Sequence, residues 1–572
     1  MDKTKKINLF FKRLNKRDKI LTICSALCLV IGIIIGINML INRFTIVISA
    51  NGGTIKYGVW EQPRFINPVL SQNNDTDTDL IELVFDGLIS LSDNKTFTND
   101  LATQITVSKD EKMYEAQLKD NIVWHDGEPF TSNDVVFTIE MIQDPKNESP
   151  LYNIWKNVRI EQVGDYIVRF YLEQPQNNFK QNLTLKILPK HIWANINPRQ
   201  YLMTEYNLKP IGTGPYKYKK LVKDKTGKIV NIYLEKNQKY FKHTPYINEI
   251  IVNFYDDQET AFKALLKGKI NLIKEVSYYQ KELLKTRKTI VLSQLYLPRY
   301  YAVFFNQKNP LFQTPKLMEA LDIALNKNKI IQDSLYGEAE SLNAIISKQF
   351  LGYDSKINKN IYNPAQAKDI LANLGYKDAN NDKFLEKTIV SGKGKNQKTS
   401  TEKLEFTLLV PSINELIQLA QNIKQNWETI GIKINLNIIP LQNIYKDYLK
   451  TRNFDAILFG EAYGLTPDLY LFWHSSQITD PGLNITSFSD TNVNKLLEEN
   501  LSIKDTTIIK NNLITIQKIL LTKRPLITLC NPYFLYAKDQ NIKGNTINIV
   551  NTPSDKFTNI EDWYIYTKRV FK

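Results

Sequence analysis

Apolar and polar positions alternate most legibly between residues 404 and 460. "LEFTLLV" (404–410) is an apolar run of strand length. "SINE" (412–415) then has the form of a capping box, with Ser412 as N-cap and Glu415 three residues on. Ile413, Leu416, Ile417, Ala420, Ile423, Trp427 and Ile430 fall on one helical face, and Gly431 ends the helix. "IKINLNII" (432–439) alternates as a strand, a helix follows over 441–451, and "FDAILFG" (454–460) is a compact apolar strand. This β-α-β-α-β order predicts a parallel sheet. Such sheets bind ligands beyond the carboxyl ends of their strands, which here means "EAYGLTPD" (461–468).

A second pattern stands apart from this one. Residues 20–42, "ILTICSALCLVIGIIIGINMLIN", contain no charged side chain. At about 1.5 Å per residue, a helix of that length spans the roughly 30 Å of bilayer hydrocarbon. The expected order is a basic cytoplasmic segment (1–19), a transmembrane anchor (20–42) and a connector (43–53), with the rest outside the cell. The rival is a cleaved signal, for which "VISA" (47–50) offers a processing site; the apolar run exceeds the usual signal core, which favours an uncleaved anchor. Cys24 and Cys28 follow Ile23 and Leu27, not the small residues that lipoprotein processing requires.

From Thr54 onward, strand-like and helix-like runs alternate without a repeat of 20–50 residues. "SGKGKNQKTSTEK" (391–403) has no apolar side chain and reads as a solvated loop. A length of 572 residues with 43% hydrophobic content implies two or three packed domains. The net charge is +15, concentrated at the N-terminus, and no dense basic stripe points to nucleic acid. Cys530 is the one cysteine outside the anchor, so the exported part has no intramolecular disulfide.

Catalytic chemistry finds little to attach to. "VWHDGEPFTSNDVVFTIE" (123–140) sets His125 beside Asp126 and Gly127, but Thr131 and Asp134 form a capping pattern, and Phe130 with Val135 a hydrophobic staple. The four histidines (His125, His191, His243, His474) share no metal-ligand spacing, so the stretch reads as scaffold. "DANNDKFLE" (378–386) starts like a calcium loop, yet Lys383 stands where glycine is wanted and Ile389 where glutamate is; a polar turn is expected. "IGTGPY" (211–216) lacks the lysine and spacing of a phosphate loop. No cofactor or metal is expected.

The order of motifs resembles the peptide/nickel family (family 5) of extracytoplasmic solute-binding proteins of ABC importers. "FINP" (65–68), "FDGLI" (85–89), the segment 107–140, "IGTGPYKY" (211–218), "RYYAVFFNQKNPLFQTPKLMEALDIALNK" (299–327), "NPAQAKDILANLGYKD" (363–378) and "RNFDAILFGEAYGLTPDLYLFWHSS" (452–476) carry it. The resemblance implies an α/β, two-lobed periplasmic-binding-protein fold of type II (the Venus-flytrap form) with an inserted subdomain. Lobe I would run over 54–300, with the insertion at about 91–205, and return at 529–572; lobe II would span 301–528. The hinge would lie near Tyr296–Asn306 and Leu526–Tyr536.

The resemblance further implies an oligopeptide held by its backbone from a segment like Phe65–Pro68, including Asn67, and from one like Phe459–Glu461, across Gly460. Gly460, lacking a side chain, would admit the ligand backbone closely. The sequence departs from the family where an aspartate pairs with the peptide ammonium: that position is Tyr463. Glu461, on the same side of an extended chain, and Asp468 are the candidate substitutes. The expected protein is a monomeric, membrane-anchored receptor, not an enzyme, that delivers its solute to an ABC permease. A same-fold binder of a non-peptide solute (metal chelate, haem or sugar) and a sensor without an importer are the alternatives.

Overall fold

The computed structural model describes residues 15–71, 74–92, 96–176, 179–357, 359, 361–391 and 398–572. Two large mixed sheets organise the chain. The first has seven strands in the order Ile290–Leu295, Phe534–Asp539, Leu272–Ile273, Thr54–Val59, Glu249–Phe254, Ile229–Lys236, Tyr216–Lys223. The second has six: Ala339–Ser341, Leu526–Pro532, Arg299–Phe305, Ala456–Ala462, Glu405–Pro411, Lys433–Ile439. The chain crosses between the sheets twice. Ile290–Leu295 leads into Arg299–Phe305, and Leu526–Pro532 leads back into Phe534–Asp539. Every residue of Leu526–Pro532 is buried, as a strand covered on both faces requires.

A four-stranded antiparallel sheet (Ala102–Val107, Met113–Leu118, Ile167–Leu172, Val158–Gly164) packs into the same core as the seven-stranded sheet. Ile167–Leu172 alternates half-buried and buried residues along its length, with Val168, Phe170 and Leu172 inward. The second sheet splits its apolar residues between two cores, one on each face.

The unit 404–460 folds as the parallel arrangement its pattern predicts, with corrected boundaries. Glu405–Pro411 lies between Lys433–Ile439 and Ala456–Ala462 and is parallel to both. The intervening helix is Asn414–Thr429, and it buries Leu416, Leu419, Ala420, Ile423 and Trp427. Ser412 does not cap it. The N-cap is Ile413, because the strand continues through Pro411 and the Ser412 N–H donates to the Ile439 carbonyl at 2.7 Å. Gly431 ends the helix with φ +88°, a conformation that favours glycine. The helix expected over 441–451 is a short turn, Leu441–Asn443, continued by a π-helical segment, Ile444–Leu449.

Two stretches read as irregular contain strands. Lys398–Lys403 pairs antiparallel with Glu386–Ser391 inside the expected loop, while residues 392–397 lie outside the described residues. In the connector, Thr45–Ala50 pairs antiparallel with the last strand, Tyr566–Phe571. Before it runs a single helix, Lys16–Phe44, with no buried residue and the length and hydropathy to cross a membrane. Residues 1–14 of the basic segment lie outside the described residues.

Candidate functional site

The strand Ala456–Ala462 carries the expected ligand segment and extends two residues past Gly460. One edge pairs with Arg299–Phe305 along its whole length, Tyr301 opposite Gly460 and Tyr300 opposite Glu461. The other edge pairs with Glu405–Pro411 only at Ala456 and Ile457. Among the described residues, no strand ladder covers that edge from Leu458 to Ala462. The strand therefore ends in a run of backbone with one side open to a further extended chain.

Its side chains divide by strand alternation. Glu461 and Tyr463 point into the core under the sheet. The Tyr300 hydroxyl donates to the Glu461 carboxylate, and burial pushes that carboxyl up to about 8. The Tyr463 hydroxyl accepts the Ser347 N–H at 3.3 Å, and its ring stacks on Tyr300 at 6.3 Å and meets Phe350 edge-on. Asp468 is half-buried; it accepts the Tyr470 N–H at 3.0 Å, and its own N–H donates to the Tyr463 carbonyl at 3.1 Å. Burial raises its pKa. Gly460 needs correction: the space above it is taken. A Cβ there would lie 2.9 Å from the Tyr301 ring, so glycine admits that ring before it admits a ligand.

The other expected segment is held from beneath. Asp77, buried in the helix Asp75–Val84, accepts the Arg64 N–H at 3.0 Å and the Phe65 N–H at 2.9 Å. Burial pushes its carboxyl up to about 6, opposed by those two donors. Asn67 is fully buried and accepts from Val69 and Leu70, which closes the turn that follows. Phe65 packs half-buried on the core of the seven-stranded sheet, and Phe459 likewise on its own sheet.

The end of the first segment, Pro68, borders a cavity of about 330 Å³ that the loop after Ala456–Ala462 reaches through Leu465; no residue of Phe459–Glu461 lines it. Pro68 lines it from one sheet's body, Leu465 from the other's, and Gln181 and Lys186 from the intervening subdomain. Lys186 pairs there with Glu82 at 2.9 Å. The bodies also touch beyond the cavity, where Lys504 reaches Glu111 at 3.0 Å.

Sequence reasoning missed a further group. Glu275, Tyr278, Arg299 and Tyr301 are half-buried residues at or next to the first crossing. Burial pushes Glu275 up to about 7; Lys274 and Arg299 oppose this, while Glu415 and Asp75 add to it. The Tyr278 hydroxyl donates to the Tyr533 carbonyl at 2.9 Å, and its ring packs against cores of both bodies. The available signal was a charged residue, Arg299, opening the apolar run "RYYAVFF".

The motifs set aside as scaffold have structural partners. His125 accepts the Gly212 N–H at Nδ1, 3.1 Å, and donates from Nε2 to the Gly214 carbonyl, 3.0 Å. Burial pushes it down to about 4, so the ring is neutral. Asp126 is hydrogen-bonded to His191 at 2.8 Å. In the 378–386 turn, Asp378, Asp382 and Glu386 gather within 4.8 Å, and each accepts backbone N–H groups.

Residues 96–480 match the family of bacterial extracellular solute-binding proteins, family 5 (middle region). The chain belongs to this family. It is 29% identical over 526 residues to the oligopeptide-binding protein AppA of Bacillus subtilis (strain 168), covering 90% of this chain and 92% of that one. The structure of the B. subtilis AppA complex with a nonapeptide superposes with a TM-score of 0.71 at 27% identity, covering 91% of this chain and all of that one. Campylobacter jejuni NikZ in complex with Ni(L-His) gives 0.70 at 26% identity, covering 89% and 99%. The fold is that of the two-lobed periplasmic-binding proteins. The matched relatives are substrate-binding proteins and not enzymes, and peptides and ABC permeases are the partners expected of the family.

Proposed function

We propose that this chain is a membrane-anchored receptor that captures an oligopeptide between its lobes and delivers it to an ABC permease. The open edge of Leu458–Ala462 carries the reading. It offers backbone groups to an extended peptide, which would add as a strand while its side chains enter roomy, wet pockets. Lobe I comprises 54–300 and 529–572, lobe II 301–528, and the two crossings serve as the hinge. Ligand binds the closed arrangement better than the open one, and the permease reads that closure. No bond is made or broken, and one copy of the chain suffices.

Two observations support an anchor that stays in place. The helix Lys16–Phe44 has an apolar surface, and none of its residues is buried by the described residues. The strand Thr45–Ala50 is paired along its length with the last strand, so processing after Ala50 would remove one half of a formed ribbon.

A second reading, a non-peptide solute, is favoured by one feature. Glu461, the first candidate for a peptide ammonium, is buried under Tyr300. Incubating the full-length protein in detergent with peptides from lysed cells, then identifying the bound species by mass spectrometry, separates the readings. Retained free-amine peptides support the first. A metal chelate or other small solute in their place overturns it and leaves the receptor standing.

A further inference from the structure

The ribbon formed by Thr45–Ala50 and Tyr566–Phe571 stands apart from both large sheets. Six residue pairs join it, and, unlike the ribbon Glu386–Ser391/Lys398–Lys403, it has no buried residue among those described. A two-stranded ribbon alone is marginal in water and normally leans on a core. This one instead exposes Val47 at 54% and Phe571 at 84%. Lone exposed apolar residues need no explanation, but Ile46, Val47, Tyr566 and Phe571 exposed together on one short ribbon ask for a covering surface.

Its position says which surface. The apolar helix runs to Phe44 and the strand starts at Thr45 with no intervening residue. The Lys572 N–H donates to the Phe44 carbonyl at 3.0 Å, which ties the end of the last strand to the end of the helix. Headgroups add roughly 5–7 Å on each side of the hydrocarbon, and a strand rises about 3.4 Å per residue. The first two rungs, Thr45 with Phe571 and Ile46 with Val570, therefore fall at headgroup depth. Arg43 lies just before them; Lys568, Arg569 and Lys572 lie beside or beyond them. That combination, an aromatic side chain among basic ones, matches an anionic lipid interface.

We infer that the last strand is a second membrane contact: Phe571 and Lys572 sit in the outer headgroup layer beside the anchor, and the long side chains of Arg569 and Lys568, on the third and fourth rungs, reach back to its anionic surface. The ribbon then acts as a short stalk that fixes the tilt of the lobes, where a flexible linker would let them swing. This rests on the reading of Lys16–Phe44 as a retained anchor.

The test uses the full-length protein in phosphatidylcholine vesicles, with and without phosphatidylglycerol, containing a lipid with a photoactivatable diazirine near its glycerol. Adducts are mapped by mass spectrometry, and each preparation is also washed with alkaline carbonate. Adducts on 566–572 as well as 43–47, stronger in the anionic vesicles, are expected. The triple variant K568Q/R569Q/K572Q should lower labelling of the last strand by about fivefold or more, the scale of one basic charge at an anionic surface. Labelling of the helix should not change. F571S should lower it in both vesicle types. Adducts confined to the helix in carbonate-resistant protein overturn the inference and spare the anchor. Protection of the last strand only when a permease is co-reconstituted, without lipid adducts, assigns the surface to protein and also overturns it. Release of the protein by carbonate overturns the anchor itself.

Discussion

At the residue scale, the outcome for a polar side chain depends on who its partner is. His125 spends both ring nitrogens on Gly212 and Gly214. His125→Ala should leave ligand affinity within about threefold while costing about 1–3 kcal/mol of stability, because the buried Gly212 N–H loses its acceptor, whereas the Gly214 carbonyl keeps the Asn237 amide. The ring's pKa is lowered from 6.5 to about 4 on folding, so the folded state refuses a proton that the unfolded state accepts. Stability from this group is whole above pH 6.5 and is lost as pH falls toward about 4. Urea titrations across that range should show the decline in the parent and a flatter curve in the variant. Glu461 titrates the other way. Its carboxyl, raised from 4.5 to about 8, costs stability increasingly as pH rises through that window. If a peptide ammonium reaches it, binding ionises the carboxyl and releases a proton, which calorimetry in buffers of different ionisation heat would register. Glu461→Gln should then weaken free-amine peptides by about 1.5–3 kcal/mol and N-acetylated ones much less. Equal losses for both would remove Glu461 from ammonium recognition.

At the element scale, local sequence marks hold where the element is closed on itself. The box at Thr131 and Asp134 forms as its spacing predicts, with the Thr131 N–H donating to Asp134 at 2.9 Å. Thr131→Ala should cost about 1 kcal/mol in a thermal or urea melt. The equally good mark at Ser412 and Glu415 is not used, since a neighbouring strand captures the Ser412 N–H first. Glycines divide in the same way. Gly127 turns the chain with φ +100° and has open space around it, so Gly127→Ala should cost about 1–2 kcal/mol from backbone conformation alone. A Cβ at Gly212 would lie 1.9 Å from the Val84 carbonyl oxygen, so Gly212→Ala should cost more, at least about 3 kcal/mol, by forcing two segments apart. A smaller loss at Gly212 than at Gly127 would show that the loop yields.

The whole molecule is organised by the two crossings between the sheets and by the apolar helix Lys16–Phe44. The protein should remain in the membrane pellet through alkaline carbonate washing with its N-terminus intact. A soluble form beginning near Asn51 would show that the helix is a signal. The contact between Lys504 and Glu111 joins the second lobe to the intervening subdomain; Lys504 is exposed and Glu111 half-buried. Lys504→Ala should therefore weaken ligand affinity by no more than about fivefold, an effect that fades with salt, as for exposed ion pairs.

What the amino-acid sequence determined by itself is whatever depends on near neighbours. The apolar helix after a basic segment, the parallel strand-helix-strand unit, the cap at Thr131 and the order of motifs that marks family 5 all belong here, because periodicity and turn chemistry act over a few residues. The tertiary structure decided everything that depends on a distant partner. Tyr301 fills the space over Gly460, Tyr300 covers Glu461, and Tyr566–Phe571 folds back on Thr45–Ala50. None of these has a local signature. A buried hydrogen bond or an unpaired strand edge is set by which residues hundreds of positions away arrive beside it, and that is settled only when the sheets assemble.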